Sequence, residues 1–104
     1  MKHYLIVRPE AEVDIMEAAL WYERRQRGLG HEVMVEIRSA IKRALISPQA
    51  FLQVRVRPPV HRILVRRFPY RIFYFLRSDA LIVFAVIHAA RHPSNWMSRL
   101  FKVF

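Results

Sequence analysis

The chain has 104 residues, the size of one domain, and contains no cysteine, which excludes disulfides, thiolate zinc sites and cysteine nucleophiles. Hydrophobic residues make up 54% of it, as in folded chains. No apolar run approaches the ~20 residues that a membrane span needs. Charged residues interrupt the apolar start, so no signal peptide is predicted. Eighteen Lys and Arg against eight Asp and Glu give a net charge of +10, and because residues 51–104 hold ten of the bases and one acid, Asp79, this half is predicted to face nucleic acid or an acidic protein segment.

The first quarter of the chain predicts a strand and a helix. Residues 2–8 are rich in β-formers and end at Pro9. Proline followed by acidic residues is typical of a helix start, so we predict a helix from Pro9 to Gln26. Its apolar residues form two stripes, which predicts contacts with both a sheet and a neighbouring helix. The stripes are Ala11, Ile15, Ala18 and Tyr22, and Val13, Met16 and Leu20.

A turn and a second helix follow. Gly28 and Gly30 are the only glycines of the chain, and their spacing is a strong turn signal, with one of them suited to a left-handed backbone. The apolar stripe from Val33 to Ala44 predicts a second helix over His31–Ile46, which the Ser-Pro pair at 47–48 ends. The two helices are therefore predicted to form a hairpin.

The second half of the chain is predicted to be mainly strands. Residues 51–57 alternate weakly before two prolines and are interpreted as a loop or an edge segment. Strands are predicted at His61–Arg67, Tyr70–Arg77 and Ala80–His88. Residues 89–104 form a C-terminal tail with a short helix near Ser94–Leu100. The order β-α-α-β-β-β predicts one α+β domain over residues 1–104, with the helical hairpin on one face of a small, mostly antiparallel sheet of about four strands.

Three segments of the chain carry a family resemblance. They are the pieces AEVDI, AALWYE and GLG within residues 11–30, VRRFPYRIFY at residues 65–74, and VIHAARHPSNW at residues 86–96. In this order and spacing, over about residues 3–97, they resemble the ParE branch of the RelE/ParE toxin superfamily. The resemblance implies a RelE/ParE-like fold and a toxin of a type II toxin–antitoxin pair. Such toxins are small, basic and cytoplasmic, and they use no cofactor.

The resemblance also implies partners. A cognate antitoxin wraps the toxin with a flexible segment and holds it inactive in a hetero-oligomer. RelE-like members cut mRNA on the ribosome, whereas ParE-like members poison DNA gyrase. The excess of arginine in the second half predicts that antitoxin carboxylates bind the guanidinium groups there. The predicted antitoxin-binding residues are Arg62, Arg66, Arg67, Arg71 and Arg91.

RNA cleavage sets its own chemical requirements. A base must take the 2′-hydroxyl proton, cations must stabilise the charged intermediate, and an acid must protonate the leaving oxygen. Arg62, Arg66 and Arg71 lie on consecutive predicted strands and supply cations in this interpretation. His88, at the end of the last strand, supplies the acid or base, with His61 as a second candidate. The alternative interpretation is that His88 packs at the strand end and that the arginines bind only carboxylates.

The C-terminal end favours binding over cleavage. RelE-like nucleases commonly carry a tyrosine, or a histidine–tyrosine pair, close to the C-terminus, but the last tyrosine here is Tyr74 and Ala89 follows His88. We therefore predict a ParE-like gyrase inhibitor without catalytic residues, with RNA cleavage and antitoxin pairing alone as alternatives. Pro93 breaks the chain next to His92, so no metal site is predicted. The predicted target-binding residues are His88, Arg91, Trp96 and Arg99, with a docked C-terminal segment as the alternative interpretation of the tail that holds Trp96 and Arg99. Trp21 and Tyr22 are interpreted as core.

Overall fold

A computed structural model of the chain describes residues 3–103. Within that range the elements are β1 (Tyr4–Val7), α1 (Pro9–Arg25), α2 (Leu29–Ile46), β2 (Leu52–Arg55), β3 (Val60–Leu64), β4 (Tyr70–Arg77), β5 (Ala80–His88) and α3 (Ser94–Val103). The strands form one sheet in the order β1-β5-β4-β3-β2, where β1 runs parallel to β5 and the other neighbours are antiparallel. The predicted α+β architecture is confirmed. Across residues 3–103, the helices fall short of the length and apolar character that a bilayer crossing requires.

Several boundaries differ from the predicted ones for local reasons. The sheet has five strands, because β2 pairs with β3 at the edge where a loop or edge segment is predicted. Strand β3 ends at Leu64, since the chain turns at Arg67, whose φ is 71°. Helix α2 begins at Leu29, so that Gly30 lies inside its first turn.

The sheet is covered on both faces. The helical face packs against α1 and α2 and includes Ile63, Ile72 and Tyr74. The opposite face, called the α3 face below, is covered in part by α3, whose Leu100 and Trp96 are buried among sheet residues such as Phe84. The predicted helix near Ser94–Leu100 is thus confirmed, and it hides apolar sheet surface that two helices alone would leave in water.

The two apolar stripes of α1 differ in burial. Ala11 and Ala18 of the first stripe are buried, and Ile15 and Tyr22 pack against the same core, as predicted. The second stripe is exposed: Val13, Met16 and Leu20 keep 55%, 64% and 49% of their surface. The prediction that this stripe contacts a neighbouring helix is wrong, because α2 packs on the small-residue side of α1, where Gly30 approaches Ala19.

The junction of the two helices is tied by Glu23. Its carboxylate accepts the N–H of Gly28 at 3.0 Å and the N–H of Gly30 at 3.0 Å. These donors belong to the first turn of α2, which has no intrahelical acceptor for them, and they lower the pKa of Glu23. Gly28 has a φ of 89°, the left-handed conformation that the turn prediction requires of one glycine.

Close helix packing at Gly30 leads to a first prediction. A Cβ at this position would lie 2.6 Å from the backbone oxygen of Ala19, so Gly30→Ala forces the helices apart and is expected to cost about 2–3 kcal/mol of unfolding free energy, as overpacking does. Gly28→Ala is the control, because a Cβ there meets nothing within 4 Å and adds only backbone strain of about 1 kcal/mol. Urea denaturation measures both. Equal losses in the two variants would contradict the contact.

Tyr74 makes the alkaline stability of the fold testable. Its hydroxyl donates a hydrogen bond of 2.7 Å to the carbonyl of Pro48, and burial raises its pKa to about 12 from 10.0. The folded chain therefore keeps this proton where the unfolded chain loses it, so its stabilising effect is full below pH 10 and is lost as the pH rises towards 12. We expect the unfolding free energy of Tyr74→Phe to fall less steeply over this interval than that of the wild type. Equal slopes of unfolding free energy against pH in the two proteins would contradict the raised pKa of Tyr74.

Candidate functional site

Two arginines lie side by side on the α3 face. Arg62 of β3 and Arg71 of β4 alternate with Ile63 and Ile72, which point to the helical face, so both guanidinium groups project from the opposite face. The register pairs Arg62 with Phe73 and Leu64 with Arg71, which makes the two arginines diagonal neighbours. The sheet thus holds two like charges close together.

The electrostatics of this pair are unfavourable in the free chain. Burial lowers the pKa of Arg62, and the positive charge of Arg71 lowers it further. The Nε atom of each guanidinium is buried without a hydrogen-bond partner, and neither side chain forms an ion pair within residues 3–103. A buried donor without an acceptor costs free energy. An incoming carboxylate or phosphate would supply both the missing acceptors and the missing negative charge.

Arg66 and Arg67 lie elsewhere. Arg67 binds the carboxylate of Glu32 at 2.7 Å and that of Glu36 at 3.6 Å, so α2 already neutralises it. Arg66 lies near Arg43 of α2, whose pKa is lowered by burial and then by the charge of Arg66. Of the predicted antitoxin-binding arginines, the structure therefore brings together Arg62 and Arg71 on the α3 face, whereas Arg66 and Arg67 lie near α2.

His88 and Arg91 belong to a third location. His88 lies against Tyr70 with ring centroids 5.4 Å apart, in a cleft between α1 and the sheet that Arg91 also lines. His61 is 5% exposed, and its Nδ1 lies 3.0 Å from the carbonyl oxygen of Phe51. The four residues of the nuclease interpretation are thus divided: Arg62 and Arg71 are on the α3 face, Arg66 is near α2, and His88 is in the cleft.

Trp96 is a core residue in this structure. It is 6% exposed, and its ring stacks on Phe73 with centroids 4.8 Å apart. Trp96 lies in the C-terminal tail, as predicted, but α3 turns its indole towards the sheet. Trp96 would have to leave the core before it could touch a partner.

Arg99 is bound to Asp14. Its Nη2 donates to Oδ1 of Asp14 at 2.8 Å, its Nη1 donates to Oδ2, and the same Nη1 lies 3.4 Å from the carbonyl of Phe84. Asp14 also accepts the N–H of Val86 at 2.9 Å. This hydrogen bond is needed because β1 pairs with β5 only as far as Val83, so the edge of β5 beyond that residue is unpaired. The predicted target contact by Arg99 would therefore break an ion pair that joins α3 to α1.

Trp21 is exposed, so its prediction as a core residue is wrong. Tyr22 packs on Phe68 with centroids 5.0 Å apart, as its core assignment predicts, but Trp21 is 45% exposed. A signal was present, because Trp21 shares its helix face with Glu17 and Arg24 at spacings of four and three residues. It therefore belongs to a polar stripe and not to either apolar stripe.

The comparisons with known proteins bear on the fold. No protein-family model and no curated protein matches the sequence. Among solved structures, the chain is similar to a chain of the chromosomal ParDE TA system from P. aeruginosa, with a TM-score of 0.74 and 12% sequence identity, over 84% of this chain and 96% of that chain. At this identity the likeness shows a shared fold.

Proposed function

We propose that this chain is the toxin of a type II toxin–antitoxin pair, that it inhibits DNA gyrase by contact, and that a cognate antitoxin neutralises it. The observation that carries the proposal is the fold shared with a chain of a ParDE TA system, over 84% of this chain and 96% of that chain. The segments that resemble the ParE branch fall on α1 and its junction with α2 (residues 11–30), on the start of β4 and the turn before it (65–74), and on the end of β5 and the start of α3 (86–96).

The arginine pair on the α3 face supports the antitoxin. Arg62 and Arg71 lack acidic partners within the described residues, and the second half of the chain has a single acid. Carboxylates of an antitoxin segment would neutralise the pair and occupy its free donors. Leu64, which is 53% exposed on the same face, offers an adjacent apolar contact.

The position of His88 counts against joint catalysis by the four predicted cleavage residues. General acid–base catalysis requires the histidine and the stabilising cations to surround one phosphate, within hydrogen-bond reach of its oxygens. Here Arg62 and Arg71 project from the α3 face, whereas His88 lies in the cleft beside α1 on the helical face. His88 and Arg91 therefore remain in the proposal as contacts to the target.

The test adds purified toxin separately to DNA gyrase and to ribosomes translating a defined mRNA. We expect loss of supercoiling and intact mRNA. His88→Ala should weaken gyrase inhibition by less than about tenfold, the scale of one lost polar contact, whereas a nuclease that uses His88 would lose about 10²–10⁴-fold in cleavage. Cleaved mRNA with normal supercoiling would overturn the gyrase assignment in favour of a ribosome-dependent endoribonuclease. Inactivity in both assays would point to a chain that only pairs with its antitoxin.

A further inference from the structure

The cleft beside α1 combines aromatic and cationic side chains. It has a volume of about 640 Å³ and lies between α1 and the end of the sheet where β4 begins and β5 ends. The side chains used below are Glu17, Trp21, Arg24, Tyr70, His88 and Arg91. Four of them, Glu17, Trp21, Arg24 and Tyr70, have no role in the function proposed above.

Trp21 offers a flat, accessible surface at this cleft. Trp21 is 45% exposed. The guanidinium of Arg25 lies 3.2 Å from the centroid of the indole ring, and Tyr22 contacts the ring edge-on at 4.8 Å. These contacts hold the indole in place at the surface. A fixed, exposed aromatic ring beside cations is the arrangement on which unpaired bases stack.

Other large apolar residues, such as Met16, Leu20 and Phe101, are also exposed. Exposure alone therefore does not distinguish Trp21. Its fixed position beside the cations of the cleft does.

Hydrogen-bond donors lie next to this surface. The Nδ1 of His88 accepts the N–H of Ala90 at 3.0 Å, so the neutral ring carries its proton on Nε2, which is left to donate. Burial raises the pKa of Tyr70, and the charge of Arg91 opposes that shift, so the hydroxyl stays protonated at neutral pH and lies within the field of Arg91. The cleft thus offers donors of two kinds to an anion.

The charge of the cleft is positive. Arg24 and Arg91 are exposed, and their side chains form no ion pair within residues 3–103. Asp14 is neutralised by Arg99, which leaves Glu17 as the one carboxylate of the lining outside such a pair. Two cations and a donor imidazole against one carboxylate favour an anionic ligand.

We propose that this cleft binds a nucleotide of single-stranded nucleic acid, with its base on Trp21 and its phosphate at Arg91, Arg24 and His88. An acidic peptide would satisfy the arginines but would make no use of a flat indole beside them. A nucleotide uses both, because every base has a flat face and every phosphate accepts hydrogen bonds from guanidinium groups. This inference goes beyond the proposed function and needs neither gyrase nor an antitoxin.

The test titrates the full chain into fluorescein-labelled single-stranded oligonucleotides of ten nucleotides, dT and rU, and follows anisotropy at several salt concentrations. Arg91→Ala is expected to weaken binding about tenfold and to reduce the salt slope by about 1. Trp21→Ala should weaken binding by about tenfold or more. Arg38→Ala is the matched control, because Arg38 is an exposed arginine on α2 outside the cleft, and it should change binding by less than about twofold.

Fluorescence gives a second readout. Trp21 is the exposed one of the two tryptophans, so a stacked base should quench emission in the wild type. Trp21→Phe keeps a ring and should retain most of the binding while losing this quenching, and it carries the test if Trp21→Ala does not fold. Equal weakening by Arg38→Ala and Arg91→Ala would overturn the proposal as non-specific charge attraction. The proposal would also be overturned, in favour of an acidic peptide, if Arg91→Ala weakened the binding of labelled poly-Glu but not the binding of the oligonucleotides. Both results are independent of the outcome of the gyrase assay, which tests the proposed function separately.

Discussion

Replacing Asp14 with Ala is expected to lower the free energy of unfolding by about 3 kcal/mol, the lower end of the cost of removing one partner of a buried ion pair. The side chain of Asp14 is 8% exposed and that of Arg99 is 25% exposed, so some of the uncompensated charge of Arg99 is screened by water. The substitution also leaves the N–H of Val86 without its acceptor at the open edge of β5. Chemical denaturation monitored by circular dichroism measures the loss.

Further variants separate the two parts of this effect. Asp14→Asn keeps an oxygen for Val86 but not the charge for Arg99, so we expect an intermediate loss. Asp14→Ala combined with Arg99→Met removes both charges and should recover part of the stability, as a double-mutant cycle reports. Glu10→Ala is the control, since Glu10 and Arg8 are 4.0 Å apart and each is 42% exposed, and such pairs contribute about 0–1 kcal/mol. A loss for Asp14→Ala no larger than that for Glu10→Ala would contradict the structural role of the pair.

The same pair determines whether α3 stays on the sheet. Arg99 reaches from α3 to α1, while Trp96 and Leu100 fill the α3 face. In a Trp21→Phe background the remaining tryptophan is Trp96, and its emission should shift to longer wavelength in Asp14→Ala if α3 loosens before the sheet unfolds. Unchanged emission up to the main unfolding transition would mean that the apolar contacts alone hold α3 in place.

The local sequence predicts the elements whose patterns are periodic. Strand β5 is a continuous apolar run and is buried along Ala80–Ile87, and β4 has its predicted bounds. The edge strand β2 is harder to predict, because its residues are largely exposed and only pairing with β3 defines it as a strand. Elements with their own hydrophobic signal are therefore predictable, whereas an element defined by its neighbour is not.

The candidate site is also only partly predictable from the sequence. The concentration of arginine in the second half is visible in the sequence, but the sequence does not say which arginines are neutralised by their own chain. Arg67 pairs with Glu32 across 35 residues, and Arg99 pairs with Asp14 across 85. Only the fold brings these partners together, and it leaves Arg62 and Arg71 without carboxylates among the described residues.

Replacing both Arg62 and Arg71 with Ala is expected to weaken the complex with the proposed antitoxin by about two orders of magnitude or more. Truncating one side of a desolvated charge contact costs roughly 2–5 kcal/mol, and the pair offers two such contacts. The expected effect on the stability of the free chain has the opposite sign. Since Arg71 and burial both lower the pKa of Arg62, each single substitution removes repulsion and should leave the free chain as stable as the wild type or more stable.

Weaker binding together with unchanged or higher stability of the free chain distinguishes a binding role of the two arginines from a structural one. Calorimetric titration with the proposed antitoxin gives the affinities, and urea denaturation of the free variants gives the stabilities. Arg67→Ala is the control, because Glu32 and Glu36 already neutralise Arg67 and its loss should weaken binding by only a few-fold at most. Higher salt should narrow the difference between wild type and double variant, because salt screens the charge contacts that only the wild type makes. A double variant that binds within about threefold of the wild type at low salt would exclude the arginine pair as the antitoxin site, since two desolvated charge contacts cannot be lost at so small a cost.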